Sequence, residues 1–295
     1  MEKSSKTESF EHYFIGFMGL GASIILIFLA LGGPLLFDIV TYRTSLSGII
    51  QTKAQDLVNL IVIVPITLIG AILHFYKKDE AKYFLSFTAI FIMLYEGFAL
   101  GVGMEWGNPL YAPSASNSQN YFWAFLFLMI YGLLVIFYVL SKFSLEDAPN
   151  FNMRSVRIFA IIGSLFLIFM AMMWFSEIFQ VVSTGDTSTG SYSETPNLFW
   201  LIRYLDLGFT IPLGFISFYL FNTRPKRAYP FLLLFFGFFV SLSTVVNAMG
   251  WLMFFEHDPT VQIPGLVIFF VLMVVSICFY LFLILPKIRN KRSYS

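Results

Sequence analysis

AQDLVNLIVIVPITLIGAIL, residues 54–73, carries one charge, Asp56, in its whole length. As an α-helix rising 1.5 Å per residue the stretch covers about 30 Å, the thickness of a bilayer's hydrocarbon core. The run is long and continuous and lacks the in–out alternation of a membrane barrel strand, so it reads as a transmembrane helix. Working outward from it, apolar segments recur at 14–37, 48–76, 82–104, 121–142, 156–182, 197–221, 229–255 and 261–285. Each is long enough to span, which predicts an all-α integral membrane protein of eight transmembrane helices.

The composition agrees. Of 295 residues, 58% are hydrophobic and 12% charged, against roughly 25% charged in a soluble domain. That excludes a soluble globule, a disordered chain and a nucleic-acid binder with a basic tract. The single cysteine, Cys278, allows no internal disulfide and no paired-cysteine metal motif. The first apolar segment is too long for a signal-peptide core and reads as an uncleaved span.

Basic residues near span ends set the orientation. With eight spans both termini share one side. That side collects Lys3, Lys6, Lys77, Lys78, Lys82, Lys142, Arg154, Arg157, Arg224, Lys226, Arg227, Lys287, Arg289, Lys291 and Arg292, leaving only Arg43, Lys53 and Arg203 of the 18 basic residues for the other. The expected placement is a multi-pass protein of the cell membrane with both termini cytoplasmic.

The two halves share spacings. Lys53-x-x-Asp56-Leu57 opens the second span and Arg203-x-x-Asp206-Leu207 lies in the sixth. Glu96 lies nine residues before Glu105, and Asn247 nine before Glu256. Pro65 and Pro212 fall in the paired spans but out of register by three. The pattern suggests a tandem repeat of two four-helix units related by an axis along the membrane normal. The expected layout is a tail (1–13), unit 1 (14–142), a cytoplasmic linker (143–155), unit 2 (156–285) and a basic tail (286–295). Pro196 reads as the first residue of helix six behind Thr195 as cap, ten residues before Asp206; the repeat then starts helix two near 45–47.

Ionisable groups within the hydrocarbon cost roughly 2.5–3.5 kcal/mol at a span centre, so each needs a partner or water. Asp38, Asp56, Glu96, Glu105, Glu177, Arg203, Asp206, Glu256 and His257 all fall toward the outer side. This one-sided polarity suggests an outward-facing, carboxylate-lined cavity above an apolar floor. Asp56 and Asp206 are the leading binding candidates. Each has a cation, Lys53 or Arg203, three residues earlier on the same helix face. They are either structural ion pairs or two carboxylates meeting across the repeat axis to hold a cation or relay protons. Glu96, Asn59 and Asn247 join the candidate set, and Gln55 and Thr210 supply further hydrogen bonds. Pro65 and Pro212 each deprive a carbonyl four residues back of its donor. No recognised metal motif is present, and no cofactor is expected; Glu105, Glu256 and His257 are weak metal candidates. His12, His74 and His257 are read as lying at different depths, against a bis-histidine haem.

RYLDLGFTIP, residues 203–212, resembles the proton-acceptor helix of microbial rhodopsins, Arg-Tyr-x-Asp-x-x-Phe-Thr-x-Pro. The match spans ten residues, and the last span, VQIPGLVIFFVLMVVSICFYLFLIL (261–285), lacks the retinal-binding lysine, so retinal is not expected. AQDLVNLIVIVPITLIGAIL with its basic turn, and LDLGFTIPLGFISFYLFNTRPKRAYPFLL (205–233), are similar to spans of uncharacterised prokaryotic polytopic membrane proteins. That resemblance implies architecture and no activity. The functional expectation is binding or transport of a small solute, cation or proton, with the lipid bilayer as surroundings and no nucleic-acid partner. The alternatives are a membrane-embedded enzyme acting from the outer face and a structural subunit of a membrane complex.

Overall fold

A computed structural model describes residues 2–103, 116–185, 187–188, 192, 196–261 and 263–292. Eight helices are long and apolar enough to cross a membrane, and the described residues contain no strand. They are α1 (Glu2–Gly32), α2 (Leu46–Phe75), α3 (Ala81–Phe91, continuing as a wide π-helix over Ile92–Gly103), α4 (Ser118–Lys142), α5 (Met153–Thr184), α6 (196–223), α7 (Pro225–Phe255) and α8 (Ile263–Arg292).

Helix limits follow local chemistry. α1 stops at Gly32, five residues short of the end expected from hydropathy, because Gly33-Pro34 cannot continue it. α2 starts at Leu46, and Ser45 caps it by accepting the Gly48 N–H at 3.0 Å, within the 45–47 window expected from the sequence spacing. α6 starts at Pro196, as expected, while Thr195 and Glu105 lie outside the described residues. α2 and α6 each widen into one π-helical turn just before a proline. The turns are Asn59–Ile63 ahead of Pro65 and Asp206–Thr210 ahead of Pro212. A residue without N–H removes the ordinary i−4 bond, and the helix takes up the mismatch in a wider turn.

The helices run up and down. At one end His12 of α1 meets the Phe75 carbonyl of α2 at 3.2 Å, and Lys142 of α4 pairs with Glu11 of α1 at 3.1 Å. At the other end Asn117 receives the Thr41 N–H at 2.9 Å, and Ser47 approaches Thr260 at 3.4 Å. α1 packs on α2, α2 on α3, α3 on α4 and α1 on α4. Likewise α5 packs on α6, α6 on α7 and α7 on α8, with Phe159 and Phe279 bringing α5 to α8. Between the halves α3 packs on α7, α2 on α7 and α3 on α6.

α7 is the most buried helix and faces two apolar cores. Leu234, Phe238 and Leu242 join α1–α4, while Leu232, Leu233, Phe235, Phe236 and Phe239 join α5, α6 and α8. Lipid tails are as apolar as leucine, so close van der Waals contact supplies the packing energy between such helices. Gly237 allows it: a Cβ there would lie 2.6 Å from the Phe87 Cα of α3. The linker after α4 is anchored too. Lys82, buried at the start of α3, bridges Asp79 at 2.7 Å and Asp147 at 2.8 Å. Burial alone would raise the Asp147 carboxyl, but Lys82 and the Ser144 N–H and O–H outweigh it and hold it below the usual carboxylate value.

Candidate functional site

Two buried polar sites flank α3, and adjacent residues of its π-helical part serve them. Successive residues on any helix point in different directions, so Tyr95 and Glu96 reach different neighbours. Tyr95 turns to α6 and Glu96 to α2.

The first site gathers Asp56, Gln55 and Asn59 of α2, Glu96 of α3 and Tyr42 of the α1–α2 connection, each no more than 5% exposed. Gln55 donates its side-chain N–H to Glu96 Oε1 at 2.7 Å, and the Asn59 side chain also hydrogen-bonds Glu96. The Asp56 carboxylate receives the Leu35 backbone N–H and lies within electrostatic reach of Glu96. Tyr42 is within reach of both carboxylates. Two acceptor atoms, Asp56 Oδ2 and Asn59 Oδ1, have no hydrogen-bond partner among the described residues. They share a helix face, being three residues apart. Gly33 makes room for the carboxylate: a Cβ there would lie 2.6 Å from Asp56 Oδ2. No ion pair among the described residues involves Asp56, Glu96 or the half-buried Lys53. Lys53 and Asp56, for which the sequence allows an ion pair as one of two readings, are therefore not paired.

The second site is built on α6. Asp206 Oδ1 accepts hydrogen bonds from Tyr95 at 3.3 Å and Thr210 at 3.2 Å. Arg203 lies one turn earlier and within electrostatic reach, but its ion pair goes to Glu177 of α5. The guanidinium also donates to the Phe199 carbonyl at 3.1 Å and lies over the rings of Phe199 and Trp174. A planar cation between two rings, with its edge on a carboxylate, is held in one orientation.

Asp56 and Asp206 thus occupy separate sites, each with its own partner on α3, and do not meet across an axis. The carboxylate beside Asp56 is Glu96. Both sites are closed: Asp56, Glu96 and Asp206 are 2%, 1% and 4% exposed, so the expected outward cavity is not open at these residues. Asn59 and Asp206 hold the same place relative to the prolines: each lies six residues ahead of one and opens a π-turn.

The remaining candidates lie elsewhere. Asn247 of α7 is buried, and its side-chain nitrogen has no partner among the described residues. Glu256 and His257 are exposed at the end of α7, and no group of three His, Cys, Asp or Glu suited to a metal occurs among the described residues. Asp258, next to them, accepts the Thr260 N–H and O–H at 2.8 and 2.7 Å. Burial would raise its carboxyl, yet these bonds and one from Ser47 hold it low. The histidine depths need correction. His12 and His74 share one end of the bundle with ring centroids 4.7 Å apart, and the Tyr138 hydroxyl is 3.4 Å from His74 Nδ1. Their positions near same-side span ends were the signal for this. Tyr42 and Tyr95 carried no such signal, because nothing local separates a site tyrosine from an interfacial one.

No family model matches the chain, and neither a curated protein nor a solved structure matches it.

Proposed function

We propose that the protein binds a proton or small monovalent cation within the membrane and carries it across, with Asp56 and Glu96 as the holding pair. One observation carries this reading: two neighbouring carboxylates are buried with no basic partner among the described residues, and Asp56 Oδ2 and Asn59 Oδ1 have no hydrogen-bond partner there either. Uncompensated charge is expensive in a low-dielectric interior, so such a pair calls for a neutralising proton or cation. Gln55 and Asn59 orient Glu96, and the π-turn beginning at Asn59 supplies a helix segment able to change register. The closed site corresponds to an occluded state, from which opening toward one side exposes the pair. Asp206 with Tyr95 forms a second polar station on the neighbouring face of α3.

Within the same reading the protein lies in the cell membrane with its basic side cytoplasmic, as 15 of 18 basic residues favour. The two halves are repeats: helix neighbours follow the same order in each, and the contacts between halves pair α2–α7 with α6–α3.

The test is ion flux in reconstituted vesicles under an imposed proton, Na⁺ or K⁺ gradient, read by ion-sensitive dyes. Wild-type protein should dissipate one of these gradients, and Asp56→Asn or Glu96→Gln should slow it at least tenfold, while Lys53→Met should not. Absence of flux above empty vesicles for all three ions, or an unaffected Asp56→Asn variant, would overturn the proposal.

A further inference from the structure

A groove of about 650 Å³ opens on the outside of the bundle between α5 and α6, lined by Arg157, Ala160, Ser164, Phe215, Tyr219 and Asn222 among others. Its chemistry is graded along its length. Arg157 is followed by Ala160, Ser164 and Leu165, so the α5 wall turns from cation to small and apolar over about 12 Å at 1.5 Å per residue. On α6, Asn222 and Tyr219 stand at the same end as Arg157, and Phe215 lies two turns deeper. The small side chains of Ala160 and Ser164 leave the trough, and its back is closed by Phe218, which packs against Gly163 and Phe159.

The polar end lies where α5 begins and α6 stops, next to Arg154, Arg224, Lys226 and Arg227. Neither Arg157 nor any of these four forms an ion pair among the described residues. The acid that most closely precedes α5 in sequence, Asp147, is occupied by Lys82. The surface therefore presents unneutralised positive charge above an apolar trough at a membrane boundary. A single occupant satisfies both ends: an anionic phosphodiester headgroup on an acyl chain. The volume lies within the roughly 300–1,000 Å³ of small-molecule sites, and basic pockets between membrane helices are where acidic headgroups bind.

We infer that this groove is a binding site for one anionic glycerophospholipid, with Arg157 and Asn222 at its phosphate and a chain along Ala160, Ser164 and Phe215. Such a lipid would lie between α5 and α6, remote from Asp56 and Glu96, so the inference does not depend on ion transport.

The experiment is native mass spectrometry of delipidated full-length protein titrated with phosphatidylglycerol or phosphatidylcholine. One phosphatidylglycerol should bind at least tenfold more tightly than phosphatidylcholine. Arg157→Gln should erase most of that preference, whereas Arg227→Gln, at the same end but outside the groove, should change it less than twofold. Ser164→Trp, which fills the trough and leaves every charge in place, should remove the bound lipid. Equal retention of the two lipids would overturn the inference in the wild-type protein, without any variant. Equal losses for Arg157→Gln and Arg227→Gln would overturn it as well, pointing to a diffuse basic surface.

Discussion

Replacing Lys82 by Met should be among the most destabilising single changes at the basic end of the bundle. Lys82 Nζ is 2.7 Å from Asp79 and 2.8 Å from Asp147, with side-chain exposures of 8% for Lys82, 66% for Asp79 and 10% for Asp147. The bond to solvated Asp79 is worth about 0–1 kcal/mol. The bond to Asp147 is of another kind, because losing the ammonium strands a buried carboxylate, at a typical cost of about 3–5 kcal/mol. The Ser144 N–H and O–H, at 2.8 and 3.1 Å, remain on that carboxylate and move the expectation to the lower end, about 3 kcal/mol. Asp147→Asn leaves Lys82 its contact with Asp79 and should cost less, about 1–2 kcal/mol. The double variant Lys82→Met, Asp147→Asn buries no charge there, so its cost should fall short of the sum by about 1–3 kcal/mol. Equilibrium unfolding by SDS in mixed micelles, followed by tryptophan fluorescence at pH 7, measures all three. A Lys82→Met loss under about 1 kcal/mol, or costs that add to within about 0.5 kcal/mol, would show that the linker is not held by this buried charge.

Two further outcomes can be checked in the same preparation. Asp147 titrates below its ordinary value when folded, so its stabilisation is complete above the unfolded value and is lost as pH falls through the folded one. The Tm gap between wild type and Asp147→Asn should therefore be constant above about pH 5 and shrink below about pH 4; a gap that stays level to pH 3 would contradict the assignment. Gly237→Val should lower stability by about 1–3 kcal/mol or more, since its Cβ meets the Phe87 backbone, which has no alternative rotamer to adopt; wild-type melting of this variant would show that α3 and α7 can separate at no cost.

Hydropathy made the eight helices legible because a spanning helix must satisfy its backbone internally over a fixed thickness. Pro196 marked a helix start by cap chemistry that is local, spacing carried over from it placed the start of α2 near 45–47, and Pro65 and Pro212 marked the irregular turns. Partner choice was not legible. Lys53 and Asp56 have ideal i, i+3 spacing, yet Asp56 lies against Glu96, forty residues on. Arg203 has the same spacing to Asp206 but pairs with Glu177 on another helix. Spacing along one helix sets which side chains share a face, and the neighbour that face meets is decided by packing. The wide π-helix of α3 adds to this, since its register decides that Tyr95 and Glu96 serve different helices, and no proline announces it.

The central position of α7 also bears on how the chain is assembled. α7 follows six of the described helices along the chain, yet it packs against α2, α3, α6 and α8. While the first six are being inserted, the surfaces that receive it, including Phe87 and its neighbours on α3, must face lipid or the insertion machinery. The bundle therefore closes late, and the halves cannot mature one after the other as independent units. A nascent chain arrested before residue 225 would hold six membrane helices around an unfilled centre. Substitutions in α7 should therefore be felt during biogenesis before they are felt in the finished protein.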